Sequence, residues 1–292
     1  MIFQKNRKYE LRVGDYKSGN GLLINNLQIT FDISKNTDNK KETNSCAIEI
    51  YNLSDESLKI LDTDFPAAYF SAGYVDIGIK QLFSGQVNLV TTRKQRTDRV
   101  TQIQMGTGYT SLNHQVLSEL TSPGRTVKDV LEDIRKNLPG VSRGLYNGTN
   151  LSSPIIYGYP LMGTPKEMLD ELSHKYNLEW QIEDDALYVH DADRGNRENF
   201  SQAYVVSKYT GLIEAPYRVT YGRLSKKTPE KKQAIQWKML LNPDIIAGDI
   251  IKLEDTQLDG WYKVDALRHT GGFRATPWYT ELRCSAIEKV VK

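Results

Sequence analysis

Several features that would fix a function at once are scarce here. The 292 residues hold only two cysteines, Cys46 and Cys284. They lie far apart in the strand-like runs NSCAIEIYNL and TELRCSAIEKV, which excludes a C-x-x-C redox motif and a cysteine-rich zinc framework. Two buried free thiols and one long-range disulfide both stay open at this point. Four histidines, His114, His174, His190 and His269, are scattered without H-E-x-x-H or any other ligand spacing, so no metal site is expected. Charge of one sign is also lacking. The 38 basic residues against 36 acidic ones leave a net +2, with no bulk pull toward nucleic acid or an anionic membrane. No apolar run reaches membrane-spanning length, and the opening MIFQKNRKYELRV has charges where a signal peptide would have its apolar stretch. A chain soluble in a cytoplasm, with no membrane anchor, is expected.

Catalytic signatures are missing as well. There is no G-x-S-x-G, no phosphate-cradling loop and no local Cys/His pairing; the glycines of GYTSLN and TGGFR read as turns. Glu183, Asp184 and Asp185 could suggest a carboxylate pair for glycoside cleavage. Consecutive residues at a hairpin tip point apart and stay solvated, so neither acquires the raised pKa of a general acid. The expectation is a protein that is not an enzyme and uses no cofactor.

What the sequence does have is aromatic and alternating. Aromatics make up 10% of the chain, and the 17 tyrosines far outnumber the 7 phenylalanines. That bias favours strands and interfaces, where a ring packs while its hydroxyl stays wet. In LLINNLQITFDISK, Leu23, Leu27, Ile29, Phe31 and Ile33 recur mostly at spacings of two and predict one face of a strand. Cys46, Ile48 and Ile50 predict a second. Ser54 caps a short helix with Asp55 and Glu56 in its first turn and Leu58 and Leu61 inward. AGYVDIGI and LFSGQVNLV then read as a strand pair, with VTQIQMGTGY as a further strand.

The middle changes period. Thr126 and Asp129 form a helix start, followed by Val127, Val130, Leu131, Ile134 and Leu138 at helical spacing up to Pro139-Gly140. Thr164, Pro165 and Glu167 form a second start, with Met168, Leu169, Leu172 and Tyr176 as its apolar stripe. LEWQIEDDALYVHD reads as a hairpin, and from about residue 200 alternation returns to the end of the chain. The expected fold is β-rich α+β. Two barrel-like β domains, residues 1–115 and 201–292, flank a small mixed α+β domain of two helices and a hairpin at 116–200. A weak internal echo relates AGYVDIGIKQLFSGQVNLV at 72–90 to AGDIIKLEDTQLDGWYKVDAL at 247–267, each with an Ala-Gly turn, a strand, a loop and a second glycine before another strand.

Two stretches carry a family likeness. CAIEIYNLSDESLKIL followed by FSAGYVDIG and LFSGQV resembles the N-terminal barrel of contractile-tail phage baseplate hub proteins. KMLLNPDIIAGDIIKLEDTQLDGWYKVDALRHTGGFRATPWYTELRC is similar to the far end of hubs of the T4 and Mu type and of their prophage and pyocin relatives. The resemblance spans both ends in the same order and departs most in the middle. It implies a homotrimer whose two tube-like units per subunit form a pseudo-sixfold ring. Such a ring matches a hexameric tail tube to a trimeric spike within the virion's tail baseplate, after assembly in the host cytoplasm. The implied partners are further copies of the chain, a spike or tip protein, a tube protein or tube initiator, and other baseplate proteins; whether DNA passes through the lumen stays open.

Candidate interface side chains are Tyr74, Phe83, Trp237, Trp261 and Trp278, with the basic residues Arg93, Lys94 and Arg96 beside Arg99. The tryptophans serve core or subunit packing, or a sugar-stacking site. The basic cluster, like Lys226, Lys227, Lys231 and Lys232, is either a solvated loop or a contact for an acidic neighbour or nucleic acid. The competing readings are a tail-associated cell-wall-degrading enzyme and a host-glycan-binding tail module.

Overall fold

A computed structural model describes residues 6–15, 20–36, 44–62, 66–106, 116–138, 141–183, 186–192, 204–224 and 229–287. The first part builds β1 (Arg7–Asp15), β2 (Asn20–Ile24), β3 (Ile29–Asn36), β4 (Ser45–Tyr51), α1 (Asp55–Leu61), β5 (Ala67–Tyr74), β6 (Gly78–Gln95) and β7 (Asp98–Gly106). Alternation decides the faces: Ile29, Phe31 and Ile33 on β3 and Cys46, Ile48 and Ile50 on β4 are all buried. The Ser54 hydroxyl accepts from the Ser57 amide at 3.2 Å, as the sequence predicts for α1. Two expectations change. LLINNLQITFDISK is not one strand face but β2, a bend and β3, and Leu23 points outward, because the Asn25-Asn26 step breaks the pleat. AGYVDIGI is not a strand but the end of β5, a turn at 75–77 and the start of β6, which then runs for 18 residues.

The middle part comprises β8 (Leu117–Leu120), β9 (Arg125–Thr126), α2 (Val127–Lys136), β10 (Ser142–Asn147), β11 (Pro154–Ile155), β12 (Pro160–Gly163), α3 (Pro165–Tyr176), β13 (Leu178–Glu183) and β14 (Ala186–Asp191). Both helices begin with a complete capping box, Thr126 with Asp129 and Thr164 with Glu167, so two amide donors at each start are satisfied locally. Their stripes meet the β13–β14 hairpin in one core that holds Leu131, Ile134, Leu169, Leu172, Trp180 and Val189. The hairpin tip at Asp184 and Asp185, the helix stop at Pro139-Gly140 and His114 lie outside the described residues.

The last part builds β15 (Tyr204–Val206), β16 (Tyr217–Leu224), β17 (Pro229–Leu240), β18 (Ile250–Leu253), β19 (Gly260–Gly272) and β20 (Trp278–Ala286). Its strands do not form a separate sheet. One 13-stranded sheet runs β16-β17-β20-β19-β3-β4-β7-β6-β5-β1-β2, with β18 beside β19 and β15 beside β18, antiparallel throughout except the β15–β18 pair. The expected pair of barrels is therefore corrected to two curled segments of a single open sheet, joined where β19 pairs with β3; neither segment closes among the described residues. The first segment curls enough for its far strands to share a core. Phe31 on β3 stands 4.8 Å from Phe70 on β5, ring centre to ring centre, and the Tyr9 hydroxyl donates to the Leu27 carbonyl at 2.6 Å.

The two segments repeat one pairing scheme. In the first, Val87 faces Met105 and the next pair is Leu89 with Gln104, so Asn88 is a bulge. In the last, Val264 faces Cys284 and the next pair is Ala266 with Arg283, so Asp265 is a bulge. One strand further, Met105 faces Cys46 and Cys284 faces Ile235. Beyond that, Cys46 faces Ile33 and Ile235 faces Arg218. On the other side, Ala67 faces Gln86 and Ile250 faces Lys263, each one residue before the buried valine. Five strands, β3-β4-β7-β6-β5 and β16-β17-β20-β19-β18, thus correspond without slippage. The residue matching of the internal echo is corrected by this register. Ala72-Gly73 lies inside β5, whereas Ala247-Gly248 is a turn before β18, although the long strands that follow are equivalent.

Candidate assembly surfaces

β6 and β19 change partners along their length, and their bulges explain how. An extra residue bends the strand and sharpens its twist, so each half is presented to a different neighbour. On β19, residues 260–263 pair with β18, and beyond the Asp265 bulge residues 266–272 pair with β3 on that same side, since β20 occupies the opposite one. The junction is tightly built. Phe31 meets Trp278 edge to face at 5.3 Å, and Arg7 donates to the carbonyls of Gly272 at 2.8 Å and Thr276 at 3.0 Å while its guanidinium lies over the Trp278 ring. Arg268 makes a two-pronged contact to Asp32, with its Nε at 2.8 Å from the carboxylate. His269 is buried with its Nδ1 at 2.9 Å from the Thr280 hydroxyl; burial, aided by Lys35, pushes its pKa down to about 3.

The middle part is held to the sheet by buried polar contacts. Lys263 on β19 donates to the Glu179 carboxylate at 2.8 Å and to the Ala192 carbonyl at 3.0 Å. Gln181 donates to the Ala247 carbonyl at 2.9 Å, and Asn44 to the Ile182 carbonyl at 3.1 Å. His190, opposite Glu179, has its pKa lowered by burial and then by the Lys263 charge. Charged groups so enclosed are costly to separate, because removing either one takes the counter-charge from a buried ion.

The candidate interface residues separate by burial into three groups. Tyr74, Phe83, Trp237 and Trp278 are buried within the chain, so their rings serve its own cores and are not offered to a second molecule. Trp261 is half-buried on β19. Arg93, Lys94 and Arg96 are exposed at the β6–β7 hairpin end, where Arg96 sits in the left-handed region of its turn (φ 57°). The hairpin base is clamped by Asn52, which donates to Asp98 and accepts from the Arg99 amide, both at 2.9 Å, and Arg99 reaches Asp55 at 2.5 Å. Lys226 and Lys227 lie outside the described residues, as do the side chains of Lys231 and Lys232. Cys46 and Cys284 are both buried free thiols, with burial pushing each well above the ordinary thiol range. Among the described residues, no cluster of three His, Cys, Asp or Glu side chains could hold a metal ion.

One surface escaped sequence reasoning. β8 and β12 pair so that Ser118 faces Met162 and Leu120 faces Pro160. Their outer side shows Val116, Leu120 and Met162, all more than two-thirds exposed, and Ile156 and Tyr157 stand out from the nearby turn. Exposed apolar side chains gathered on one side of a strand pair are the material of interaction surfaces. The signal was present in VLSEL, whose apolar residues occupy both faces of a strand too short to need two cores.

The fold of this chain, with its mixed insert between two in-register five-strand units, is similar over nearly the whole chain to those of solved phage and prophage tail proteins. The tail protein from Neisseria meningitidis MC58 is 13% identical, with 96% of each chain covered and a TM-score of 0.65. The 43 kDa tail protein of prophage MuSo2 from Shewanella oneidensis is 8% identical, with 96% of this chain and 98% of that one covered and a TM-score of 0.67. An E. coli component of the type VI secretion system, described as structurally similar to bacteriophage T4 tail proteins, is 8% identical over 90% of this chain and 74% of its own, with a TM-score of 0.65. At these identities the likeness is one of fold. No protein-family model matches the sequence, and no curated protein does.

Proposed function

We propose that the protein is a structural hub of a phage tail baseplate, a ring-forming adaptor that joins the tail tube to the central spike and carries out no catalysis. The observation that carries this reading is the duplicated strand unit, which shares its register through the Asn88 and Asp265 bulges. A chain with two equivalent wall segments gives a three-copy ring six such segments, which fits a sixfold tube on one face and a threefold spike on the other. Residues 1–115 and 201–292 supply the wall segments, each a curved, barrel-like piece, and 116–200 is the insert. The apolar face around Leu120, Tyr157 and Met162 suits a spike, tube or other baseplate partner. The glycan-binding alternative loses its main support, because Trp278 is packed between Phe31 and Arg7.

Electron microscopy of the purified protein tests the reading: a threefold ring with a central hole is expected, and immobilised protein is expected to capture a spike or tube protein encoded beside it. A monomer that captures neither, or release of fragments from cell-wall sacculi, overturns it.

A further inference from the structure

Inside one chain, the outer half of β19 is closed by β3: Ala266 faces Asn36, Arg268 faces Ser34, His269 faces Ile33 and Thr270 faces Asp32. The strand equivalent to β19 is β6, and its outer half begins after the Asn88 bulge. There β5 has already ended, since its last pair on that side is Ala67 with Gln86. Among the described residues no strand pairs with residues 88–95 on the β5 side, and Thr91, Thr92, Arg93, Lys94 and Gln95 are all exposed. The strand equivalent to β3 is β16, which among the described residues pairs with β17 alone and forms one end of the 13-stranded sheet. The chain therefore carries a second copy of each half of its own internal junction, and among the described residues both halves are open. Unpaired backbone donors and acceptors along an edge are satisfied by another strand.

We infer that the outer half of β6 pairs antiparallel with β16 of a second copy of this chain, in the register that β19 and β3 use within one chain. The inference rests on the hub reading for the ring it builds, but its residues come from the register alone. Transferring the internal pairs through the bulges and through β17 and β4 places Val90 opposite Thr220, Thr91 opposite Val219, Thr92 opposite Arg218 and Arg93 opposite Tyr217 of the neighbour. Arg93 and Tyr217 are both exposed in the single chain, and a guanidinium beside a tyrosine ring is a favourable cross-strand pair. The contact is head to tail: each copy gives β16 to one neighbour and β6 to the other. A head-to-tail contact of this kind builds a ring where its rotation closes, and not a two-fold dimer.

Disulfide trapping tests the register. Directly opposed residues in an antiparallel pair bring their Cβ atoms close enough to bridge, and the buried Cys46 and Cys284 do not compete. The doubly substituted chain Arg93→Cys, Tyr217→Cys is oxidised and run on a non-reducing gel, alongside Arg93→Cys, Arg218→Cys, in which the second thiol points to the opposite face. Expected for the first chain is a ladder ending at three linked copies, with a yield at least tenfold above the second. Single variants mixed with each other are expected to link as dimers only. Trimers by light scattering that do not link, or that link equally in both doubles, overturn the junction and leave the hub reading standing. A chain monomeric and unlinked up to its solubility limit overturns the junction and removes the ring from the hub reading as well.

Discussion

The two strand units share a hydrogen-bond register, yet their long bulged strands end in opposite surroundings. On β19 the outer half lies under β3 and carries the buried His269 and the close-packed Gly271; at the equivalent positions on β6 stand Thr92 and Lys94, both exposed. One residue before the buried valine of each strand, β19 has Lys263 in its buried ion pair where β6 has Gln86. The backbone scheme is thus tolerant, and burial is what distinguishes the copies. The charge on the covered strand is held in ion pairs, Arg268 with Asp32 and Lys263 with Glu179. The open half of β6 is instead exposed from Thr91 to Gln95, and exposed charge at an edge discourages unspecific pairing.

Substitutions at equivalent positions sharpen that contrast. Lys263→Ala removes the cation that faces the buried Glu179 carboxylate and is expected to cost about 3–5 kcal/mol in urea unfolding, whereas Gln86→Ala costs about 1 kcal/mol. An equal loss at the two positions would break the distinction. The pH dependence follows from His269, whose folded pKa of about 3 lies below the ordinary 6.5. The unfolded chain takes up this proton first, so its contribution is complete above pH 6.5 and is lost as pH falls toward 3. Denaturation midpoints are expected to show a loss of roughly 2–3 kcal/mol between pH 6.5 and pH 4.5, at about 1.4 kcal/mol per pH unit. His269→Gln removes most of it, leaving the smaller fall due to His190, whose pKa is also lowered.

Gly271→Ala is next. A Cβ there would overlap the Phe31 ring and crowd Trp278, so a loss of about 1–3 kcal/mol is expected by calorimetry. Lys94→Ala, its counterpart on β6, stays within about 0.5 kcal/mol. Outside both units, Thr126→Ala removes a helix cap in the middle part at about 1 kcal/mol and leaves the sheet junction unchanged by amide exchange.

Much of the local structure was legible because its causes are local. The three helix starts at Ser54, Thr126 and Thr164 are set by side chains reaching amides three residues on, and each is found where the sequence predicts it. The stripes of α2 and α3 and the β13–β14 hairpin follow the same rule. The site was less legible. Aromatic residues in alternating runs suggested an interface, yet Tyr74, Phe83, Trp237 and Trp278 went to the interior, since large rings are equally good material for a core. The exposed side of β8 and β12 was missed because a short apolar strand does not announce which face lacks a cover.

By itself the sequence determined where most strands and helices lie, which side of most strands faces inward, and that β-rich ends flank a mixed middle. Only the tertiary structure decided that those ends form one open sheet, that Asn88 and Asp265 are matching bulges, and that β3 covers β19 while β6 stays uncovered. The reason is physical: an alternating pattern encodes burial above and below a strand, whereas the partner along its edge is chosen by backbone groups that every residue shares.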